Sequence, residues 1–334
     1  MVTEGKMKKK IFLIVLILLF VVPTGVIFAK YALQKPLGPP LELDIPPQLA
    51  KKSTSADPSS SKQLFCGNSG IMRILEIGIA SPLELGHPGA DAIRLVVVNF
   101  DEVSASILAI PADLWVDTPE DLVDELGIMA PLNQIYLAAY QNATGNPDQV
   151  LTQKATQVLA QTIVDAFEFI PDKYITINGD AFIDLVDTLD GVTITLDEAI
   201  DASGENFGSF PEGEQTLDGL QTLDFVRILS PNGVGPDYFG RFERQNMVIH
   251  GIMNAVLDAD NWENIPELVK EARKMVVTDL SVDQANDLAC MVEEVDGDAT
   301  MLLVDSEAVI VDAYGRMFPD TVLISDLMAE LEGE

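Results

Sequence analysis

The chain has 334 residues, with 53 acidic against 20 basic side chains, a formal net charge of −33 and 48% hydrophobic content. That apolar content is enough for a packed core, so disorder does not explain the charge. The acidic balance argues against a nucleic-acid binder, which needs a basic face for phosphates, and against broad docking on anionic lipid.

The N-terminus carries an address. Lys6, Lys8, Lys9 and Lys10 precede IFLIVLILLFVVPTGVIFA at 11–29. This uncharged run would span roughly 28 Å as a helix, about the thickness of a bilayer's hydrocarbon core. The lysines predict that residues 1–10 are cytoplasmic, 11–29 form a transmembrane signal anchor and the remainder lies outside. A cleaved signal peptide is the rival reading, although Ile27 and Ala29 make a poor pair of cleavage-site residues. Residues 30–63, with PLGPP, IPPQ and KKSTSADPSSSK, read as a Pro/Ser-rich stalk. Residues 64–334 then form one extracytoplasmic domain. Cys66 and Cys290 both fall outside the membrane, where an oxidising compartment permits a disulfide; two free buried thiols are the alternative.

Within that domain IMRILEIGI (71–79), AIRLVVVNF (92–100) and SASILAIP (104–111) read as buried strands, the last two joined by a hairpin turn at 101–103. PEDLVDEL (119–126) starts a helix on a proline and acidic residues. A longer helix over 147–169 puts Val150, Ala155, Val158, Leu159 and Ile163 on one face. KYITING (173–179) is a strand, 180–189 a helix and 191–196 a strand. Helices follow at 217–229, from 237, near 262–273 and at 281–295, and short strands close the chain. The alternation predicts an α/β fold, a layered domain with a mixed central sheet flanked by helices.

The sequence holds no P-loop, dinucleotide fingerprint or nucleophile elbow. With only His87 and His250, a His/Cys zinc site is not expected. The charged residues that stand out are Asp91 at the head of a strand, Asp113 after IPA, Arg227 inside LDFVRIL, and Asp237, Arg241, Arg244 and Gln245 in DYFGRFERQ. Each has a bland reading. The first two aspartates suit turns, Arg227 a snorkelling helix residue, Arg241 and Arg244 a solvated face, and Asp237 a helix cap. Together they supply guanidinium forks for phosphate oxygens and carboxylates for a divalent cation.

In this order the segments resemble the LytR-CpsA-Psr (LCP) family of bacterial cell-envelope proteins. ILEIGIA resembles its first strand, DAIRLVVVNFDEVSASILAIPADLWVDTP its strand hairpin, and YITINGDAFIDLVDTLDGVTITL its central strand–helix–strand. LDGLQTLDFVR with the following D-x-x-x-R-x-x-R-Q resembles its C-terminal motif. The resemblance implies a membrane-anchored phosphotransferase moving a glycopolymer from a polyprenyl-pyrophosphate carrier to a cell-wall acceptor, with Mg²⁺ assisting and the lipid tail in an apolar pocket. It implies that Arg227 and Arg241 grip the pyrophosphate, that Asp91 binds metal, that Asp113 and Asp237 orient arginines or assist the acceptor hydroxyl, and that Arg244 and Gln245 support the site.

The sequence departs from the family pattern at Ala80, Gly89, Ala112, Gln134 and Leu229, each standing where the family carries a charged residue. Arg73 and Arg94 lie in nearby segments that could supply substitutes. A second reading follows, in which the chain is a catalytically impaired relative that binds a polyprenyl-linked ligand or envelope polymer. A purely structural anchored domain is a third.

Overall fold

The computed structural model describes residues 34–52, 66–79, 89–145, 148–235, 237–257, 276–295 and 299–333. The expected anchor at 11–29 and the helix near 262–273 lie outside them. Among the described residues no helix is long and apolar enough to cross a membrane. The described residues cluster into two compact units. A sheet unit holds the described residues from 34 to Ile177 and from Val277 onward, and an inserted unit holds those between Asn178 and Val276.

The strands in chain order are β1 (Ile71–Ile79), β2 (Ala90–Asn99), β3 (Ser104–Ile110), β4 (Trp115–Asp117), β5 (Met129–Pro131), β6 (Lys173–Asn178) and β7 (Val192–Leu196). They continue as β8 (Ile200–Asp201), β9 (Ser209–Phe210), β10 (Gly213–Leu217), β11 (Val276–Thr278), β12 (Thr300–Leu303), β13 (Val309–Val311) and β14 (Met317–Pro319). The main helices are α1 (Leu132–Asn142), α2 (Asp148–Phe167), α3 (Gly179–Thr188), α4 (Gly219–Arg227), α5 (Tyr238–Leu257), α6 (Val282–Val295) and α7 (Thr321–Glu332).

In the sheet unit six strands run in the order β11-β6-β1-β2-β3-β12. β1, β2 and β3 pair antiparallel, while β3 and β12 pair parallel, which makes the sheet mixed as expected. Alternation along the strands divides two cores. Ile93, Leu95 and Val97 with Leu75 and Ile77 face the larger one, built with α1, α2 and α7. Met72, Ile74 and Val98 face a smaller one with Met291 and Val295 of α6. The turn predicted at 101–103 is present and holds Val103 at φ 54°, an unusual conformation for a β-branched residue.

The sequence reading misses two helices, α1 and α7. Its long helix is present as α2, with Ala155, Leu159 and Ile163 fully buried, but Val150 is exposed rather than on the core face. The described part of the expected stalk is not a free tether. Leu37 donates its N–H to the Leu280 carbonyl, and the Tyr174 hydroxyl donates to the Pro39 carbonyl. Gln157 and Gln161, one turn apart on α2, each exchange two hydrogen bonds with the main chain of Glu42 and Asp44. Two side-chain amides thus mimic a strand partner for residues 42–44. Cys66 and Cys290 form a disulfide with Cα atoms 5.4 Å apart, joining the start of this unit to α6.

The inserted unit has its own core. Val186 of α3, Val192 and Ile194 of β7, Leu217 of β10, Phe225 of α4 and Val248 of α5 pack with Phe210 and Ile228. Fully burying a side chain such as Phe225 contributes about 1.5–3 kcal/mol. α4 begins with a capping box: Asp218 accepts the Gln221 N–H and Gln221 accepts the Asp218 N–H. This small separate core explains why the region segregates from the sheet.

Candidate functional site

The last carbonyls of a helix have no partner inside it. At the end of α4 these groups find partners from the start of α5. Gln245 donates its side-chain amide to the Val226 carbonyl at 3.3 Å, and Arg244 donates Nη2 to the Ile228 carbonyl at 2.6 Å. The Asp237 N–H reaches the Leu229 carbonyl at 2.7 Å. The two helices are therefore tied end to start, and Arg227 is the last residue of the first.

Arg244 is only 5% exposed, which excludes the solvated-face reading for it. Burial lowers its pKa, opposed by Asp237, whose Oδ2 lies 3.6 Å from Arg244 Nη1. Arg241 pushes the same way as burial, and Glu205 opposes it. Asp237 also caps α5, accepting the Gly240 N–H at 2.9 Å. The carboxylate fills the space beside Gly240: a Cβ there would stand 1.9 Å from Asp237 Oδ2 and would force it to shift. Asp237 thus caps α5 and lies beside Arg244 with the same carboxylate. Arg241 is half-buried in the first turn of α5, with its N–H on the Asp237 carbonyl.

Sequence reasoning misses two members of this junction. Glu205 accepts the N–H groups of Leu229, at 3.1 Å, and Ser230, at 2.7 Å. The ring centroid of Phe207 lies 5.4 Å from the guanidinium carbon of half-buried Arg227. Nothing in DASGENFGSF marks either residue beyond a turn.

In the sheet unit, Asp91 sits at an irregularity. Ala92 pairs with Gly78 and Ala90 with Ile79, so Asp91 is the extra residue of a bulge at the head of β2. Bulges of this kind re-aim a side chain, and Asp91 is half-buried. Asp113 is held by α1: its Oδ1 accepts Asn133 Nδ2 at 2.8 Å. The Asn133 N–H also donates to the Ala112 carbonyl, and the Leu132 N–H to the Leu114 carbonyl. A carboxylate can only accept, so the amide nitrogen of Asn133 must face it. Its Oδ1 is then left buried without a partner.

Arg73 and Arg94 are committed elsewhere. Arg73 pairs with Glu332 at 3.0 Å and Arg94 with Glu76 at 2.7 Å. Ala112 is buried in the main core, Gln134 is exposed on the first turn of α1, and Leu229 is half-buried; Ala80 lies outside the described residues. A groove of about 600 Å³ in the sheet unit bears the carboxylates of Glu42, Asp44, Asp121 and Asp165, which makes it a poor match to the apolar lipid pocket expected above. Among the described residues no group of three or more His, Cys, Asp or Glu could hold a metal. Magnesium, however, commonly takes one or two carboxylates together with substrate phosphates.

Comparison with known proteins adds what this geometry lacks. The LytR_cpsA_psr family model matches residues 48–323. A polyisoprenyl-teichoic acid–peptidoglycan teichoic acid transferase TagU of Bacillus licheniformis is 26% identical over 334 residues, 98% of this chain and 97% of its own. A TagU of Oceanobacillus iheyensis is 27% identical over 239 residues, 71% of this chain and 68% of its own. The crystal structure of Bacillus subtilis TagV shares the fold, with a TM-score of 0.55 at 19% identity over 80% of this chain and 97% of that one.

Proposed function

Because the chain belongs to the LytR-CpsA-Psr family, we propose that it is a cell-envelope phosphotransferase that moves a glycopolymer from a polyprenyl-pyrophosphate carrier to a cell-wall acceptor. The observation that carries this reading is the end-to-end match to a transferase acting between polyisoprenyl-linked teichoic acid and peptidoglycan. The tie between α4 and α5 supports it, since it fixes Arg227 and Arg241 on one short junction.

The reaction needs no external energy source. An acceptor hydroxyl oxygen attacks the glycan-side phosphorus and forms a new P–O bond. The bond to the bridging oxygen breaks, and polyprenyl phosphate leaves with that electron pair. The hydroxyl proton passes to a base. Arg227 and Arg241 are proposed to grip the phosphates, whose charge the guanidinium fork matches. Asp237 keeps α5 capped and Arg244 in place, while Arg244 and Gln245 support the junction. Asp113, held by Asn133, is proposed to assist the acceptor hydroxyl. Asp91 would hold magnesium together with the pyrophosphate. When bound, the ion would neutralise phosphate charge.

We also propose that the chain is a single-pass protein of the bacterial cell membrane, its N-terminus cytoplasmic and its main part outside. The apolar run at 11–29 behind four lysines supports this placement, as does a disulfide of the kind that persists in oxidising compartments.

The impaired-binder reading is kept for one observation. Positions where the family carries charge hold Gly89, Ala112, Gln134 and Leu229. The test uses the full chain in detergent, a polyprenyl pyrophosphate bearing a short glycan, and peptidoglycan, with and without Mg²⁺. Release of polyprenyl phosphate that falls 10²–10³-fold in Arg227→Ala and in Arg241→Ala is the expected result. Binding without release would replace the transferase by the binder, and neither would reduce the family likeness to fold.

A further inference from the structure

The ribbon of β13 and β14 has two unlike faces. Its strands pair antiparallel, with Ile310 opposite Phe318 and Val311 opposite Met317. Opposed residues share a face, and the faces alternate along the strands. Val309 and Met317 pack on the main core, so Ile310 and Phe318 point away from it. Val311 belongs to the core-side face but is 57% exposed at its rim. The outward face continues onto β4: Leu114 bridges to Met317, and the ring centroids of Trp115 and Phe318 lie 6.2 Å apart. Burial alternates there, with Ala112, Leu114 and Val116 buried, Asp113 and Trp115 half-buried and Asp117 exposed. Asp113 and Trp115 therefore share the outward side. The Arg316 guanidinium carbon lies 5.0 Å from the ring centroid of Trp115, 5.4 Å from that of Tyr314 and 5.5 Å from that of Phe318. Asp312 fixes the turn: its Oδ1 accepts the N–H groups of Tyr314 and Arg316, and its Oδ2 accepts Arg316 Nε at 2.6 Å. Tyr314 stands on that turn 86% exposed.

We propose that this outward face, with Trp115, Tyr314, Arg316 and Phe318, is a glycan-binding platform for uncharged sugar rings, and that it holds the acceptor polymer on the side of Asp113. The acceptor assignment rests on the transferase reading above; the platform does not. Large apolar side chains gathered in one exposed place mark a contact surface more often than single ones do. The C–H groups on one face of a pyranose ring carry partial positive charge and pack on the negative face of an aromatic ring. The sugar's hydroxyl and amide oxygens then need donors at the edge of the stack. Arg316 has five N–H groups, of which Asp312 takes two. Charge selects the occupant. Asp113 and Asp117 lie on this side of a chain with a net charge of −33, which disfavours an anionic polymer or an anionic lipid surface and leaves a neutral glycan unaffected. The phosphate-bearing donor is disfavoured on the same ground. Trp115 follows Asp113 by roughly 7 Å of extended chain, so a polymer lying across Trp115 passes close to the carboxylate proposed to assist the acceptor hydroxyl.

The test is made on the full chain in detergent, with a β-1,4-linked N-acetylglucosamine hexamer as the uncharged probe and a galacturonate hexamer as the anionic one. The uncharged hexamer should bind more tightly than the anionic one and should shift the indole N–H resonance of Trp115, assigned by its loss in Trp115→Phe. Tyr314→Ala should weaken that binding by about two- to tenfold, the range an aromatic contact supplies. Tyr314 is too exposed for its loss to threaten the fold. Tyr314→Phe should stay within about twofold of the parent, because the ring is kept. Val311→Ala, on the other face of the same ribbon, should change nothing. In the transfer assay with peptidoglycan, Tyr314→Ala should raise the KM for the acceptor and leave that for the polyprenyl donor unchanged. Tighter binding of the anionic hexamer, equal losses in Tyr314→Ala and Val311→Ala, or a Trp115 resonance indifferent to the sugar would each overturn the platform. So would absence of glycan binding together with Tyr314-dependent attachment to phosphatidylcholine vesicles or Tyr314-dependent dimers in sedimentation, which would make the face a lipid contact or a contact between copies. Glycan binding with an unchanged acceptor KM in Tyr314→Ala would overturn the acceptor assignment alone. Glycan binding by a parent chain that releases no polyprenyl phosphate would overturn the transferase reading and leave the platform standing.

Discussion

The sheet unit and the inserted unit use their arginines differently. In the sheet unit Arg73, Arg94 and Arg316 pair with Glu332, Glu76 and Asp312. Arg316 lies besides over the rings of Trp115, Tyr314 and Phe318. In the inserted unit Arg244, besides its pair with Asp237, holds a main-chain carbonyl, and Arg227 lies over a ring. Ion pairs consume the fork that a phosphate would use, whereas carbonyl and ring contacts shape a helix junction. The difference teaches where to look for an anion site in a chain this acidic: where several basic side chains gather at one helix junction. The two units also differ in closure, one by a covalent bridge and one by hydrogen bonds at a helix end.

The largest effect should come from that bridge. Cys66 and Cys290 are 224 positions apart, and loop entropy assigns such a closure about 5 kcal/mol. Cys66→Ser/Cys290→Ser should lower the urea midpoint sharply, with amides of β1 and α6 exchanging first and those of α3 to α5 nearly unchanged. Uniform loosening of both units would break the comparison. Next comes Arg244→Ala, which leaves the Ile228 carbonyl without this donor and removes a buried stem. It should cost roughly 2–3 kcal/mol, read as faster exchange at the α4–α5 junction while the sheet amides stay protected.

Much of the sheet unit was legible in the sequence because its signal is local. Strands β1 to β3 are apolar runs with turn residues at their ends, and the D-E-V turn lies between two of them. The helix α1 was not, because LNQIYLAAYQN begins after Pro131 with no side-chain cap and its buried positions serve tertiary contacts. Val150 was misplaced because helical periodicity does not say which end of a helix the core reaches. At the candidate site, the sequence offers Arg227, Asp237, Arg241, Arg244 and Gln245 as a charged cluster, and α4 and α5 bring them to one junction. It could not tell a buried, committed Arg244 from a half-exposed Arg241 three residues away, since both suit the same pattern. Glu205 and Phe207 were invisible because what joins them to Arg227 is a tertiary contact across a hairpin with no motif.

A smaller effect sharpens the account of the inserted unit. Gly240→Ala improves helix propensity by about 1 kcal/mol, and on an ordinary helix it would stabilise. Here the new methyl must displace the Asp237 carboxylate. We expect no net gain by thermal unfolding, the disturbed cap, worth typically about 1 kcal/mol, offsetting the propensity gain. A stabilised variant would show that Asp237 is not bound to the α5 N-terminus.

The smallest effect belongs to the sheet unit and is a matter of pH. Asp287 on α6 lies where a Cβ on Gly67 would approach its Oδ1 to 2.5 Å, beside the bridge at Cys66. Burial pushes its pKa up to about 6, with Asp283, one helical turn earlier, adding to the rise. The folded state therefore holds this proton more tightly than the unfolded chain, whose aspartates titrate near 3.9. Stability from this group falls as pH rises from about 4 through 6, and above 6 the charged carboxylate is a standing cost. Asp287→Asn removes that cost. Because the side chain is only partly buried, solvent screening should limit the gain to about 1 kcal/mol at pH 7.5. Near pH 4, where the aspartate is already protonated in the folded protein, the gain should vanish. The comparison is between variant and parent at each pH, so that the general repulsion of a chain carrying a net charge of −33 cancels. A gain of equal size at both pH values would mean that the asparagine packs better, and that the carboxylate's charge is not what strains this corner of the sheet unit.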